Sequence, residues 1–145
     1  MIVSWSGLQA EAGSVTDQPA HLIDFMATCI DLAGAKYPAR FQGRSITPLQ
    51  GKSLLPIFNG QQRDPHDWLY FQFATNRAIR KGDLKLVAPR GGSWELYDLA
   101  SDRSELNDLT DARPQVAADL EQLWHRVAEQ IEGAPKKLRR PLRNH

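Results

Sequence analysis

Hydrophobic positions in the first half of the chain repeat with the period of one helix. From His21 to Ala33, apolar residues recur at the i, i+3, i+4, i+7 spacing of a single face. The residues of this face are Leu22, Phe25, Met26, Cys29, Ile30 and Ala33. Gly34 follows where a left-handed C-cap is typical. The pattern predicts a helix over 21–33 that buries this face.

The segments around this helix contain a different set of signals. The opening "MIVSW" is β-branched and aromatic, which predicts a strand over Ile2–Trp5 that needs a neighbour to pair with. Residues 35–52 contain Pro38, Gly43, Pro48 and Gly51, so we predict a surface loop. The stretch "SLLPIFNG" predicts one short helical turn that ends at Gly60.

The second half of the chain switches to short strands. Four segments, 68–73, 77–81, 84–89 and 94–99, are separated by Asn76, Gly82-Asp83 and Gly91-Gly92. Such short separations predict an antiparallel meander. Pro114 then suits the first turn of a helix. The apolar stripe of that helix is Val116, Leu120, Leu123, Trp124, Val127 and Ile131. Packing it on the meander gives an α+β fold, with a boundary between two parts near 60–67.

Composition narrows the class without naming a partner. The 145 residues are 41% hydrophobic and 24% charged, with a net charge of +1, as in an ordinary globular domain. One cysteine excludes an internal disulfide. The N-terminus lacks the features of a signal peptide, and no apolar run is long enough to span a membrane. The sequence leaves localisation undetermined, cytoplasmic if the chain is made as it stands.

The carboxy-terminal segment 133–145 forms a basic tail. Its "KKLRRPLR" holds five cations and no acid, without interleaved aromatic residues. A solvated terminus is the expected state, so no nucleic-acid partner is expected. Nucleic-acid binding through this tail is the alternative.

Candidate chemistry is sparse. Cys29 is predicted to be a buried core residue. The four histidines share no metal-ligand spacing and are predicted to be surface or capping residues. They are His21, His66, His125 and His145. Gly51-Lys52-Ser53 resembles the end of a phosphate loop, but Ile46 occupies the position of the required glycine. Asp24 and Asp31 flank the apolar face as hydrogen-bonded or solvated carboxylates. From the residues alone, the chain has a fold and no active site.

The order of the motifs adds what single residues do not. The segments "IVSWSG", "AGSVTDQPAHLIDFMATCIDLAGAKYP", "GRSITPLQGKSLLPIFNG", "NRAIRKGDLKLV" and "WELYDLASDRSELNDL" together resemble the C-terminal part of an arylsulfatase, from about residue 2 to residue 131. The resemblance implies that residues 1–60 belong to an alkaline-phosphatase-like α/β domain. It also implies that residues 68–132 form the family's C-terminal subdomain, a four-stranded antiparallel sheet with a helix packed on it.

The resemblance also implies cofactors that this chain does not match. The family uses calcium and a formylglycine made from a Cys or Ser within a Cys-x-Pro/Ala-x-Arg signature. Here Cys29 is followed by Ile30, Asp31, Leu32 and Ala33, so the signature is absent. The family's metal and sulfate ligands also have no counterpart. We therefore expect no cofactor on this chain, no activity of the chain alone, and a sulfate ester as substrate only of the complete enzyme.

Two departures bear on substrate contacts. Family members often read "HxGNRA", whereas this chain reads "FATNRA" with Phe73 and Thr75, and Ala27 replaces a common Pro. If substrate contacts survive, the resemblance assigns them to Asn76 and Arg77. The alternative is that Arg77 and Arg80 are exposed strand residues.

Partners follow from the same resemblance. A C-terminal fragment would bind the missing N-terminal catalytic domain or associate with itself through exposed apolar surface. The alternative is a non-catalytic interaction module, or one subunit of a split enzyme, that binds a partner through the same face.

Overall fold

The computed structural model describes residues 1–8 and 10–132. These described residues form two compact units, one that ends at His66 and one that begins at Asp67. The predictions for the basic tail, 133–145, lie outside the described residues. Within the described part of the chain, no helix is both long and apolar enough to cross a membrane.

The first unit holds two helices and a small hairpin. Helix α1 covers Asp24–Leu32, strands β1 and β2 cover Arg40–Phe41 and Arg44–Ser45, and helix α2 covers Leu55–Phe58. The predicted helix is confirmed, but it begins at Asp24 because a hydrogen-bonded turn from His21 precedes it. The short helical turn in "SLLPIFNG" is also confirmed. The predicted loop over 35–52 contains the β1–β2 hairpin, which sequence reasoning missed.

The predicted strand over Ile2–Trp5 is wrong for this structure. Residues 1–5 have no regular secondary structure, and Ile2 is 99% exposed. A strand requires a neighbouring strand to satisfy its backbone groups, and the described residues supply none at this segment.

The predicted buried face of α1 is also wrong. Asp24, Ala27 and Thr28 are its buried residues, whereas Phe25 and Met26 are exposed. Cys29, predicted to be a core residue, is exposed as well. The cause is hydrogen bonding, since the Thr28 hydroxyl accepts from the Leu54 amide at 2.9 Å and turns the polar face of the helix inward. The apolar face predicted from the sequence therefore lies on the surface of the described chain.

The second unit confirms the meander. Strands β3 (Leu69–Phe73), β4 (Asn76–Lys81), β5 (Leu84–Ala88) and β6 (Glu95–Asp98) form a four-stranded antiparallel sheet in chain order. Two-residue turns join β3 to β4 and β4 to β5, and Gly82 supplies the positive φ of the second turn. A short 3-10 turn over Pro89–Gly91 leads towards β6.

Helix α3 (Pro114–Glu132) covers one face of this sheet, as predicted, and begins at Pro114. Its buried residues pack against Ile79, Leu86 and Leu96 of three neighbouring strands. The residues that α3 contributes to this core are Ala117, Leu120, Trp124 and Val127. Ile131, predicted to belong to the stripe, is exposed.

The polar stretch after β6 is organised by its own carboxylates. Asp108 accepts hydrogen bonds from the amide of Leu96, at 3.0 Å, and from the amide and hydroxyl of Thr110. The hydrogen bond from the Thr110 hydroxyl, followed by those from the Leu96 and Thr110 amides, holds the pKa of Asp108 below its usual value. Asp102 likewise accepts from two backbone amides further along the loop. The carboxylates of Asp102 and Asp108 thus hold this loop closed against the β6 edge of the sheet.

Candidate functional site

The carboxylate of Asp24 lies at the centre of the most extensive polar cluster in the first unit. Asp24 is fully buried at the start of α1. Its Oδ1 accepts from the Lys52 amide at 2.9 Å and from His66 Nε2 at 2.7 Å. Its Oδ2 accepts from the His21 amide at 2.8 Å and from Arg63 Nη2 at 3.0 Å. Four donors satisfy the acceptor capacity of one ionised carboxylate. We call Asp24, Lys52, Arg63 and His66 the Asp24 cluster.

Arg63 joins three segments of the unit. Its side chain is 4% exposed, and besides Asp24 it donates to the carbonyl oxygens of Pro19, at 2.6 Å, and Lys52, at 2.8 Å. A buried guanidinium needs a counter-charge and acceptors for its donors, and this arrangement supplies both.

His66 is the second side chain that donates a hydrogen bond to Asp24. Its side chain is 8% exposed, so the prediction of a surface or capping histidine is wrong. Donation from Nε2 to the carboxylate leaves Nδ1 as the acceptor when the ring is neutral.

The Gly51-Lys52-Ser53 segment serves this cluster rather than a phosphate. The Lys52 amide points at Asp24, and its ammonium group donates to the Pro65 carbonyl at 2.6 Å. The donors that a phosphate loop would offer to a ligand are therefore used inside the protein.

The chemistry of the Asp24 cluster is that of a structural anchor. Burial raises the pKa of Asp24, but hydrogen bonds from the Lys52 and His21 amides, then from His66 and Arg63, outweigh it and hold the pKa below its usual value of 3.8. A carboxylate with all its acceptor positions filled has none left for a substrate or metal. Among the described residues, no three His, Cys, Asp or Glu side chains converge as a metal site would require.

The lowered pKa of Asp24 predicts the acid response of the first unit. A carboxylate with a folded pKa below its unfolded one adds stability that is fully present above about pH 5 and is lost as the pH falls through the folded value. After incubation at pH 7 to 2.5, pulsed hydrogen exchange at one fixed pH should show protection of residues 18–32 falling at the acid end. The exposed Asp31→Asn change should leave the profile unaltered. A loss of protection already between pH 7 and 6 would contradict this assignment.

The two residues that the resemblance proposes for substrate, Asn76 and Arg77, lie at the start of β4 in the second unit. The Asn76 side chain donates to the Phe73 carbonyl at 3.2 Å and accepts from the Arg90 amide at 2.9 Å, so it fixes a turn. The Arg77 guanidinium carbon lies 4.5 Å from the ring centre of Trp94 and 5.6 Å from that of Trp124. It is thus a half-buried, aromatic-stacked residue. Substrate contact by Asn76 and Arg77 stays a prediction.

The cofactors implied by the resemblance do not fit the residues of this chain. Cys29 is exposed on α1 and is followed by residues that do not form the formylglycine signature. The most buried carboxylate, Asp24, is saturated by protein donors. No reaction step is therefore assigned to calcium or formylglycine on these residues.

Comparison with known proteins identifies the class as the C-terminal part of sulfatases. Residues 1–133 match the family described as "N-sulphoglucosamine sulphohydrolase, C-terminal". The chain belongs to this family.

Three of its curated relatives are sulfatases several times its length. An uncharacterized sulfatase of Schizosaccharomyces pombe is 32% identical over 117 residues, covering 76% of this chain and 21% of the relative. An N-acetylglucosamine-6-O-sulfatase of Bacteroides thetaiotaomicron is 27% identical, covering 68% of this chain and 19% of the relative. Human arylsulfatase K is 25% identical, covering 81% of this chain and 23% of the relative. The chain thus spans about a fifth of the length of these relatives.

Solved structures agree on the fold. A 2-O GAG sulfatase matches with a TM-score of 0.56 and 22% identity, over 76% of this chain and 25% of the other. A structure in complex with D-glucosamine-2-N,6-O-disulfate matches with a TM-score of 0.55 and 23% identity, over 80% of this chain and 25% of the other. At these identities the likeness concerns the fold alone, and it covers about a quarter of each solved chain.

Proposed function

We propose that this chain is the C-terminal part of a sulfuric ester hydrolase and supplies structure rather than chemistry to it. One observation carries the proposal: the family match extends over residues 1–133, yet Cys29 lies outside the formylglycine signature. The name of the Bacteroides relative supports a sulfated sugar as the substrate class of the complete enzyme.

Turnover by the purified chain tests this proposal. We expect no hydrolysis of an aryl sulfate above the buffer blank, with or without calcium, because catalysis of this reaction requires a metal and an activated nucleophile. A complete sulfatase assayed in parallel confirms the assay. Calcium-dependent turnover by the chain would overturn the proposal.

A non-catalytic interaction module is the second candidate, and two observations favour it. Leu22, Phe25 and Met26 of the first unit are 74%, 45% and 58% exposed, respectively, which is unusual for clustered large apolar residues. An uncharacterized relative in Haemophilus influenzae, 29% identical, has 62% of its length covered by this chain, so it holds far less additional sequence. Co-purification with a larger polypeptide would favour this candidate. Self-association through exposed apolar surface is the separate expectation for the fragment, and a monomer at high concentration by sedimentation would count against that expectation.

A further inference from the structure

Helix α2 is followed directly by an Asn59-Gly60 pair, in which the asparagine side chain is open to attack by the next backbone nitrogen. Glycine has no Cβ to shield that nitrogen from the preceding side chain. The other three asparagines each precede a residue with a bulky side chain: Arg77 after Asn76, Asp108 after Asn107 and His145 after Asn144. Backbone chemistry therefore singles out Asn59 among the four asparagines.

Hydrogen bonds of a glycine C-cap close the backbone around this pair. The Gly60 amide donates to the Ile57 carbonyl at 2.9 Å, and the Gln61 amide donates to the Pro56 carbonyl at 2.8 Å. Gly60 has a φ of +74°, the left-handed conformation of this cap. The cap thus fixes both the conformation of Gly60 and the hydrogen bond of its amide.

The conformation of Asn59 keeps its side chain away from the Gly60 nitrogen. Asn59 has a ψ of 9°, which eclipses the Gly60 nitrogen with the backbone nitrogen of Asn59 and turns it away from the Asn59 Cβ. Ring closure onto the side-chain carbonyl requires the Gly60 nitrogen on the side of the Cβ. Because that rotation about ψ would move Gly60 and Gln61 away from their acceptors, the closed cap is unreactive.

Two other segments of the first unit hold this cap closed. The Ala10 amide donates to the Phe58 carbonyl at 2.9 Å. The Gln18 side chain donates through Nε2 to the Gln61 carbonyl at 3.2 Å and accepts from the Arg63 amide at 3.0 Å. The reactive geometry therefore becomes accessible only when these contacts loosen, which is a local opening of the first unit.

We propose that Asn59 is a modification site, converted to isoaspartate when the α2 C-cap opens. In the open cap the Gly60 nitrogen bonds to the side-chain carbonyl carbon of Asn59. The bond from that carbon to the side-chain nitrogen breaks, and this nitrogen leaves as ammonia with the proton of the Gly60 amide. Water then opens the ring. Attack of water at the side-chain carbonyl gives aspartate, and attack at the backbone carbonyl gives isoaspartate, whose main chain runs through the former side chain.

Formation of isoaspartate prevents the cap from closing again. It places an additional carbon in the main chain, so the Gly60 and Gln61 amides no longer lie opposite their acceptors. Leu54, at the start of α2, is buried, and its amide donates to the Thr28 hydroxyl of α1. The modification thus records each opening irreversibly, at the end of the helix that packs on α1.

Mass spectrometry of the tryptic peptide 53–63, after incubation of the full chain at mildly alkaline pH, tests this proposal. A synthetic peptide of the same sequence is the reference without a cap. We expect the native chain to be converted at least about tenfold more slowly than this peptide, and the chain in urea at the rate of the peptide. Chromatography separates the isoaspartate, aspartate and asparagine forms.

Gln18→Ala should accelerate the conversion of Asn59 in the native chain about tenfold. The substitution removes two hydrogen bonds that hold the segment after Gly60. The matched control is Gln50→Ala, which removes the same side chain from an exposed position of the same unit and should leave the rate unchanged. Circular dichroism of both variants reports whether they fold.

Three outcomes would overturn the proposal. Equal rates in the native chain and the free peptide would show that the cap does not control the reaction. Equal rates in folded Gln18→Ala and Gln50→Ala chains would show that the contacts of Gln18 do not hold the cap closed. Faster conversion of Asn76 or Asn107 than of Asn59 in urea would show that the choice of site is wrong. The comparison with the free peptide needs no variant, so it decides the proposal even if Gln18→Ala does not fold.

Discussion

Replacing Asp24 with Asn is expected to lower the free energy of unfolding of the first unit by about 3–5 kcal/mol. The change keeps the size of the side chain and removes its charge. The guanidinium of Arg63, 4% exposed, then has no carboxylate within its hydrogen-bond reach. In addition, the Asn amide nitrogen would place a donor where one carboxylate oxygen now accepts, so that it would face two of the present donors.

The measurement is hydrogen exchange in urea, followed in peptides that cover 18–32 and 48–66. Exchange resolves the first unit from the second, which bulk fluorescence would not, because three of the four tryptophans lie in the second unit. Asp31→Asn is the matched control, since it removes the same charge from an exposed position of the same helix. A cost for Asp24→Asn within about 0.5 kcal/mol of this control, the usual range of surface changes, would show that the buried pair is not stabilising.

A second substitution separates the loss of the Asp24–Arg63 attraction from the cost of leaving the buried Arg63 guanidinium without a counter-charge. Arg63→Met in the Asp24→Asn background removes the guanidinium left without a counter-charge. The double variant should therefore cost less than the sum of the two single changes, because a large part of each single cost is the unpaired partner.

The second unit could be predicted from sequence because its signals are local. Alternating strand residues and turn residues such as Gly82 specify the hairpins over a few positions. The α3 stripe repeats over several turns, and the buried residues Leu120, Trp124 and Val127 all belong to it. In that half of the chain, local pattern and tertiary packing favour the same structure.

The first unit could not be predicted in the same way, because its stabilising contacts are long-range. Asp24 meets Arg63 and His66 at separations of 39 and 42 residues, which no periodic pattern encodes. The only local sign was a carboxylate in the first turn of a helix, a position that the helix dipole favours in any protein. The apolar period of α1 was real, but in the described chain its face is exposed while Asp24 and Thr28 turn inward.

Gly51→Ala is the other change with a large expected effect, a loss of about 3 kcal/mol from the first unit. A Cβ at this position would lie 2.1 Å from the carbonyl oxygen of Ile23 and 3.0 Å from the Cα of Asp24. Both contacts are with backbone atoms, which cannot move aside by changing rotamer. One of the two segments must therefore shift, and the shift draws the Lys52 amide away from the Asp24 carboxylate.

The control for Gly51→Ala isolates backbone conformation from close contact. Gly43 has a φ of +80° with nothing within 4 Å of a Cβ, so Gly43→Ala should cost only about 1–2 kcal/mol of left-handed strain. Gly51 has the opposite combination, with an ordinary φ and no room. If urea unfolding gives Gly51→Ala the smaller cost, the segments are not pressed together as described. A larger cost for Gly51→Ala would instead explain the Gly51-Lys52 pair without a bound phosphate. The glycine lets the two backbone segments approach closely, and this approach brings the Lys52 amide to the Asp24 carboxylate.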